Sequence, residues 1–181
     1  MRWRPTARFL CLVSMCSSLG AAGNGQPEPI LASTAVAVHP SNLIAASVFQ
    51  PFLDRMWRSS PTFNRQCRRL VAAPRLKVVL HLEEPQRRPS FYARTVLRRQ
   101  DGVLVAADVF LSPTPDAAER IAHEVEHVLE QLDGVDLEAQ AGSGNVWKRE
   151  DGAFETRRAT EAGRRVAREV MPRTGARARQ R

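Results

Sequence analysis

Hydrophobic positions change their spacing several times along this chain of 181 residues, and each change marks an element. From Ser41, the residues Leu43, Ile44, Val48, Phe52 and Met56 recur every three or four positions. This predicts a helix capped by Ser41 and kinked or broken at Pro51. A second helix is predicted over Pro61–Ala72, burying Phe63, Cys67, Leu70 and Val71 and ended by Pro74. Period two then takes over. RLKVVLHLE (75–83) is β-rich and bounded by prolines, while FYARTVLRR (91–99) and VLVAADVFL (103–111) flank Gln100-Asp101-Gly102. An Asp-Gly pair between two such runs is a strong hairpin signal.

Helical spacing returns after Ser112-Pro113-Thr114-Pro115-Asp116, with Thr114 as the expected cap and Pro115 in the first turn. That helix is expected to run to about Leu132 and stop at Gly134. A loop containing Gly142-Ser143-Gly144-Asn145 leads to a last helix, from about Ala153 to Val170, closed by Pro172. The order is helices, three strands, helix, loop, helix. The expected class is therefore α+β, without internal repeats.

The two ends read differently from the middle. Arg2, Arg4 and Arg8 precede a short apolar run, Phe9–Ala22, that finishes in small residues, so residues 1–22 are expected to be a signal peptide and the protein exported, to the periplasm or beyond. No stretch reaches the roughly 20 apolar residues of a membrane span. Residues 23–40 read as a linker, 41–172 as one domain, and 173–181 (RTGARARQR) as a basic, disordered tail that could meet an anionic surface. Removal of the leader takes Cys11 and Cys16 with it. Cys67 alone cannot form an internal disulfide, so packing or a metal must hold the domain together. The net charge of +8 is almost all arginine, since only Lys77 and Lys148 are lysines.

Candidate chemistry concentrates on residues 116–132. At about 100° per residue, Ala118, Ile121, Ala122, Val125, Leu129 and Leu132 share one apolar arc. His123 and His127 lie together on the far side, with Glu124 beside them. Two histidines at i and i+4 present their rings one turn apart and can meet one metal ion. A glutamate following the first histidine can act as general base towards a water. The pattern is H-E-x-x-H. On the last predicted helix, Ala159, Ala162, Gly163, Val166 and Val170 form an apolar arc, and Glu155 falls within it. A carboxylate in a buried stripe needs compensation, which a metal or Arg158 could provide. Small residues at 159, 162 and 163 would let this helix approach the histidine helix. Glu130 is placed to accept a hydrogen bond from an imidazole; Arg158 could support the metal or bind an oxyanion.

Residues 114–170 resemble the zincin metallopeptidases, best the glutamate subset with H-E-x-x-H on one helix and a glutamate on a later one, as in thermolysin-like enzymes. The resemblance implies Zn2+ held by His123, His127 and Glu155, with Glu124 as general base. It implies a zincin-like fold: a small mixed or antiparallel sheet packed on the H-E-x-x-H helix, with a further C-terminal helix. It also implies an antiparallel edge lining the cleft, for which VLVAADVFL is the candidate partner of an extended peptide. The metzincin extension is incomplete: Asp133 stands where that pattern asks for His or Asp, but Glu130 replaces the Gly and gives the helix no reason to break and turn Asp133 to the metal. Tyr92, His81 and Arg158 compete as stabilisers of the transition state. The expected function is an exported zinc metallopeptidase acting on a peptide or protein through a zinc-activated water. The alternatives are a non-catalytic zincin-like binding module with structural zinc, and a basic envelope-associated protein.

Overall fold

The computed structural model describes residues 40–83, 93–150 and 152–171. The expected signal peptide, almost all of the linker (Pro40 apart) and the basic tail lie outside the described residues. What is described is an α+β layering of one mixed sheet, four helices and a small hairpin.

The first strand, β1 (Leu43–Ala45), corrects the sequence reading, which placed these residues on a helix. Leu43, Ile44 and Ala45 instead pair in parallel with Val78, Val79 and Leu80 of β2 (Lys77–Leu82). Asn42 anchors the entry: its Nδ2 donates to the carbonyls of Leu70, Ala73 and Leu76. Helix α1 spans Gln50–Ser59, so Pro51 starts a helix rather than breaking one. A fixed φ and a missing N–H cost nothing in a first turn. Helix α2 (Pro61–Val71) is capped by Ser60, whose Oγ accepts from the Phe63 N–H. It buries Phe63, Cys67 and Leu70 as expected, but Val71 is exposed. Burial pushes the Cys67 thiol up to about 11, against the lowering effect of the bond from Trp57 Nε1.

Strands β3 (Ala93–Gln100) and β4 (Val103–Leu111) form the expected hairpin. Asp101 and Gly102 both have positive φ, 51° and 78°, the conformation of a type I′ turn. The strand order is β1-β2-β4-β3, with β4 parallel to β2 and β3 antiparallel to β4. VLVAADVFL is thus an inner strand. The antiparallel edge is β3, because the hairpin folds back on the outside of the growing sheet. Alternation sends Ala107, Val109 and Leu111 of β4 inward, and an irregularity in the ladder, where the register shifts between Arg98 and Arg99, lets Leu104 face the same way; they join Val78, Leu80 and the helices in one core.

Helix α3 spans Ala117–Leu132 and carries the predicted apolar stripe: Ala118, Ile121, Ala122, Val125 and Leu129 are buried. Its N-cap is Asp116, not Thr114, so Pro115 precedes the helix. Its end is a Schellman motif: Gly134 takes φ 73°, Val135 N–H donates to Glu130 and Gly134 N–H to Gln131. The expected loop-to-helix passage differs more. Val146–Lys148 (β5) and Phe154–Thr156 (β6) make a two-stranded antiparallel ribbon, and helix α4 begins only at Arg157 and runs to Val170. Thr156 decides the start, its Oγ1 accepting from the Ala159 N–H at 3.0 Å. No helix among the described residues is long and apolar enough to cross a membrane.

Helices α3 and α4 touch backbone to backbone at Gly163. A methyl built there would lie 2.8 Å from the Glu119 carbonyl oxygen and 3.2 Å from His123 Cβ. Gly163→Val is therefore expected to destabilise the fold by about 2 kcal/mol, because backbone rather than a flexible side chain must give way. Chemical denaturation of the variant beside the native protein measures it; an unchanged midpoint would contradict the close approach.

Candidate metal centre

Three elements build the site. Helix α3 supplies His123 and His127 from the side opposite its buried stripe, with ring centroids 4.8 Å apart and planes at 78°. Strand β6 supplies Glu155. Its Oε1 lies 3.3 Å from His123 Nε2 and 3.4 Å from His127 Nε2, all three side chains being largely buried. One donor atom from each of the three lies within 4.8 Å of the others, so the group could hold a metal ion. The sequence reading named these three residues but put Glu155 on a helix. It stands on a strand one residue before the cap, and pairs across the ribbon with Trp147. Its carboxylate also accepts the Thr156 N–H at 2.8 Å.

Behind the histidines lies a buried carboxylate. Glu130 is 2% exposed. One of its oxygens accepts from His127 Nδ1 at 2.9 Å, the other from Thr156 Oγ1 at 2.8 Å. An ionised carboxylate only accepts, so the Nδ1 proton is fixed and Nε2 is turned towards Glu155. Glu130 thus buttresses His127. Thr156 was not singled out from sequence. Its signal was the capping potential of a threonine just before a helical run.

Burial disfavours the charged form of His127, but the hydrogen bonds to Glu130 and Glu155 and the charge of Glu124 outweigh it and push the pKa up to about 9. Burial of Glu155 acts to raise its pKa, yet the bonds to His123 and His127 hold it well below the usual carboxylate range. Without metal, the centre is a buried imidazolium–carboxylate cluster.

Glu124 lies beside this cluster, 7% exposed, and its Oε2 accepts from Thr95 Oγ1 at 2.6 Å. A cleft of about 530 Å³ runs over His123, Glu124, His127 and Glu155. Ala93, Thr95 and Leu97 of β3 form one wall and Leu137, Phe154 and Glu155 the other. Arg94, Arg120 and Arg149 also line it.

Other candidates lie elsewhere. Arg158 is drawn away by Glu126 (2.6 Å) and Asp133 (2.7 Å), and lines a separate cavity with Gln66 and Arg69. Its guanidinium, a candidate support of the metal or an oxyanion, is held instead by these two carboxylates on the other flank of α3. Asp133 is held by Arg69 and Arg158 beyond an unbroken helix. His81 bonds Asp108 at 2.8 Å and stacks on Phe110, in the row of β2 opposite buried Leu80. Tyr92 lies outside the described residues.

Comparison with known proteins gives no match, whether to a family model, a curated protein or a solved structure.

The charge states make a prediction for the metal-free protein. A raised His127 pKa contributes stability that is fully present below its ordinary 6.5 and lost as pH rises through about 9. A depressed Glu155 pKa contributes stability present above its ordinary 4.5 and lost as pH falls. Chelator-treated protein is expected to be most stable between these two ordinary values, and to lose on the order of 3 kcal/mol towards pH 9. Urea denaturation at a series of pH values measures this, and His127→Asn is expected to flatten the alkaline decline.

Proposed function

We propose that this chain is an exported zinc-dependent metallopeptidase that hydrolyses peptide or similar amide bonds. The observation that carries the reading is the convergence of Glu155 Oε1 on the two imidazole Nε2 atoms at 3.3 and 3.4 Å. Tetrahedral zinc with bonds of about 2.0–2.1 Å requires its ligand atoms to stand about 3.3 Å apart. Two neutral imidazoles and one carboxylate are also a donor set that catalytic zinc favours, leaving a position open.

Held by His123, His127 and Glu155, zinc would supply Lewis-acid polarisation of the scissile carbonyl and would make a water more acidic. The chain's own residues do the rest. His127 is held in one tautomer by Glu130, keeping Nε2 turned to the centre. Glu124, at the cleft wall, takes the proton from the attacking water and returns it to the leaving amine. Among the described residues strand β3 has no partner on its outer side, and along this edge of the cleft an extended peptide can add as a further strand. This combination of H-E-x-x-H helix, later glutamate and antiparallel edge supports the zincin resemblance. An open cleft over the centre, with a carboxylate set beside it, favours hydrolysis over zinc as a mere staple between ribbon and helix.

Purified native protein is expected to carry about one zinc per chain by elemental analysis, and Glu155→Ala to lose it. Glu124→Gln is expected to keep the zinc while peptide hydrolysis falls by about 10²-fold or more. A Glu124→Gln protein as active as the native one would remove Glu124 from the mechanism. Zinc whose loss unfolds the chain, with no hydrolysis in either protein, would favour the binding-module alternative.

A further inference from the structure

We infer that Thr95, in the middle of the edge strand β3, is the positioning residue for the Glu124 carboxylate. The inference rests on the hydrolase reading. Side chains alternate along β3: Arg94, Val96 and Arg98 are exposed, while Ala93, Thr95 and Leu97 are half-buried and line the cleft. Thr95 is the one polar member of that inward row. Valine would fill the same volume and suit a strand as well, so the hydroxyl needs a reason. Its reason is Glu124. The Oγ1–Oε2 separation of 2.6 Å is that of a charge-assisted bond to a carboxylate. Among the described residues no other donor bonds this carboxylate.

The geometry makes the bond a fixed one. Thr95 is held in the sheet opposite Val109 of β4. A β-branched side chain has few rotamers, so the hydroxyl direction follows from the backbone. Glutamate is long and flexible, and a helix alone does not fix its head. With Oε2 held by Thr95, Oε1 is the oxygen left to take the proton. The strand whose edge can receive a peptide thereby also sets the base, so substrate backbone and base share one frame.

The test uses the full chain loaded with zinc. Thr95→Val, nearly the same shape, is expected to keep zinc content while kcat falls about 10²-fold, with KM within about twofold of native. Thr95→Ser restores the hydroxyl and is expected to restore most of kcat. A crystal structure of metal-free Thr95→Val gives a readout apart from turnover: the Glu124 carboxylate is expected to leave its place. An unmoved carboxylate, a native kcat in Thr95→Val, a change in KM alone, or a serine variant as slow as the valine one would each overturn the inference. Thr95→Ala, read against the same serine variant, serves if the valine protein does not fold. Native protein that hydrolyses nothing overturns the hydrolase reading and this inference with it, whereas a fully active Thr95→Val overturns only the latter.

Discussion

A carboxylate buried to 2% exposure must be answered by hydrogen bonds, and Glu130 is answered from two directions at once. Left alone it would cost several kcal/mol; bonded by Thr156 and His127 it becomes a junction. Thr156 ends β6, caps α4 and neighbours Glu155. Satisfying Glu130 therefore pins the start of α4 and the end of the ribbon against α3. That pin is what brings Glu155 to the histidines. His127 gains its tautomer from the same contact, so assembly of the centre and the stability of the α3–α4 packing are one event.

The junction works because its surroundings are stiff. Gly163 lets the backbones of α3 and α4 approach where any side chain would intrude on Glu119 and His123. On the opposite flank of α3, Glu126 takes Arg158 and Gln66, and Asp133 takes Arg69 and Arg158. Two sets of acids thus leave one helix. One set faces arginines and ties α2, α3 and α4 together; the other faces histidines and a cleft. The arginines neutralise the first set fully, while the second keeps donor atoms turned toward a common point.

The sheet contributes through its edge. Because β3 returns antiparallel outside β4, its inward row reaches the cleft, with Ala93 and Leu97 packed also against the margin of the core. A strand placed one position further in would be shielded by its neighbours and could neither line the cleft nor offer free backbone groups. The two positive-φ residues of the turn and the register shift between Arg98 and Arg99 together set which side chains of β3 face α3.

Local physics alone determined much of this protein. The 3.6 periodicity of residues 117–132 placed the apolar stripe and the histidine face, Gly134 marked the helix end, and Asp101-Gly102 placed the hairpin. Each depends on neighbours in sequence. Glu155 was legible as an acid in an apolar stripe, though its stripe belongs to a helix that starts only after it. Tertiary structure decided what depends on partners far along the chain. Leu43–Ala45 has helical spacing yet becomes a strand because β2 offers it a ladder. Which strand forms the edge follows from sheet order, which no window of residues encodes. Arg158 was drawn to Glu126 and Asp133 rather than to the centre, and Thr156 found Glu130, because charge and hydrogen-bonding capacity are satisfied by whatever the fold brings near, not by what lies adjacent in sequence.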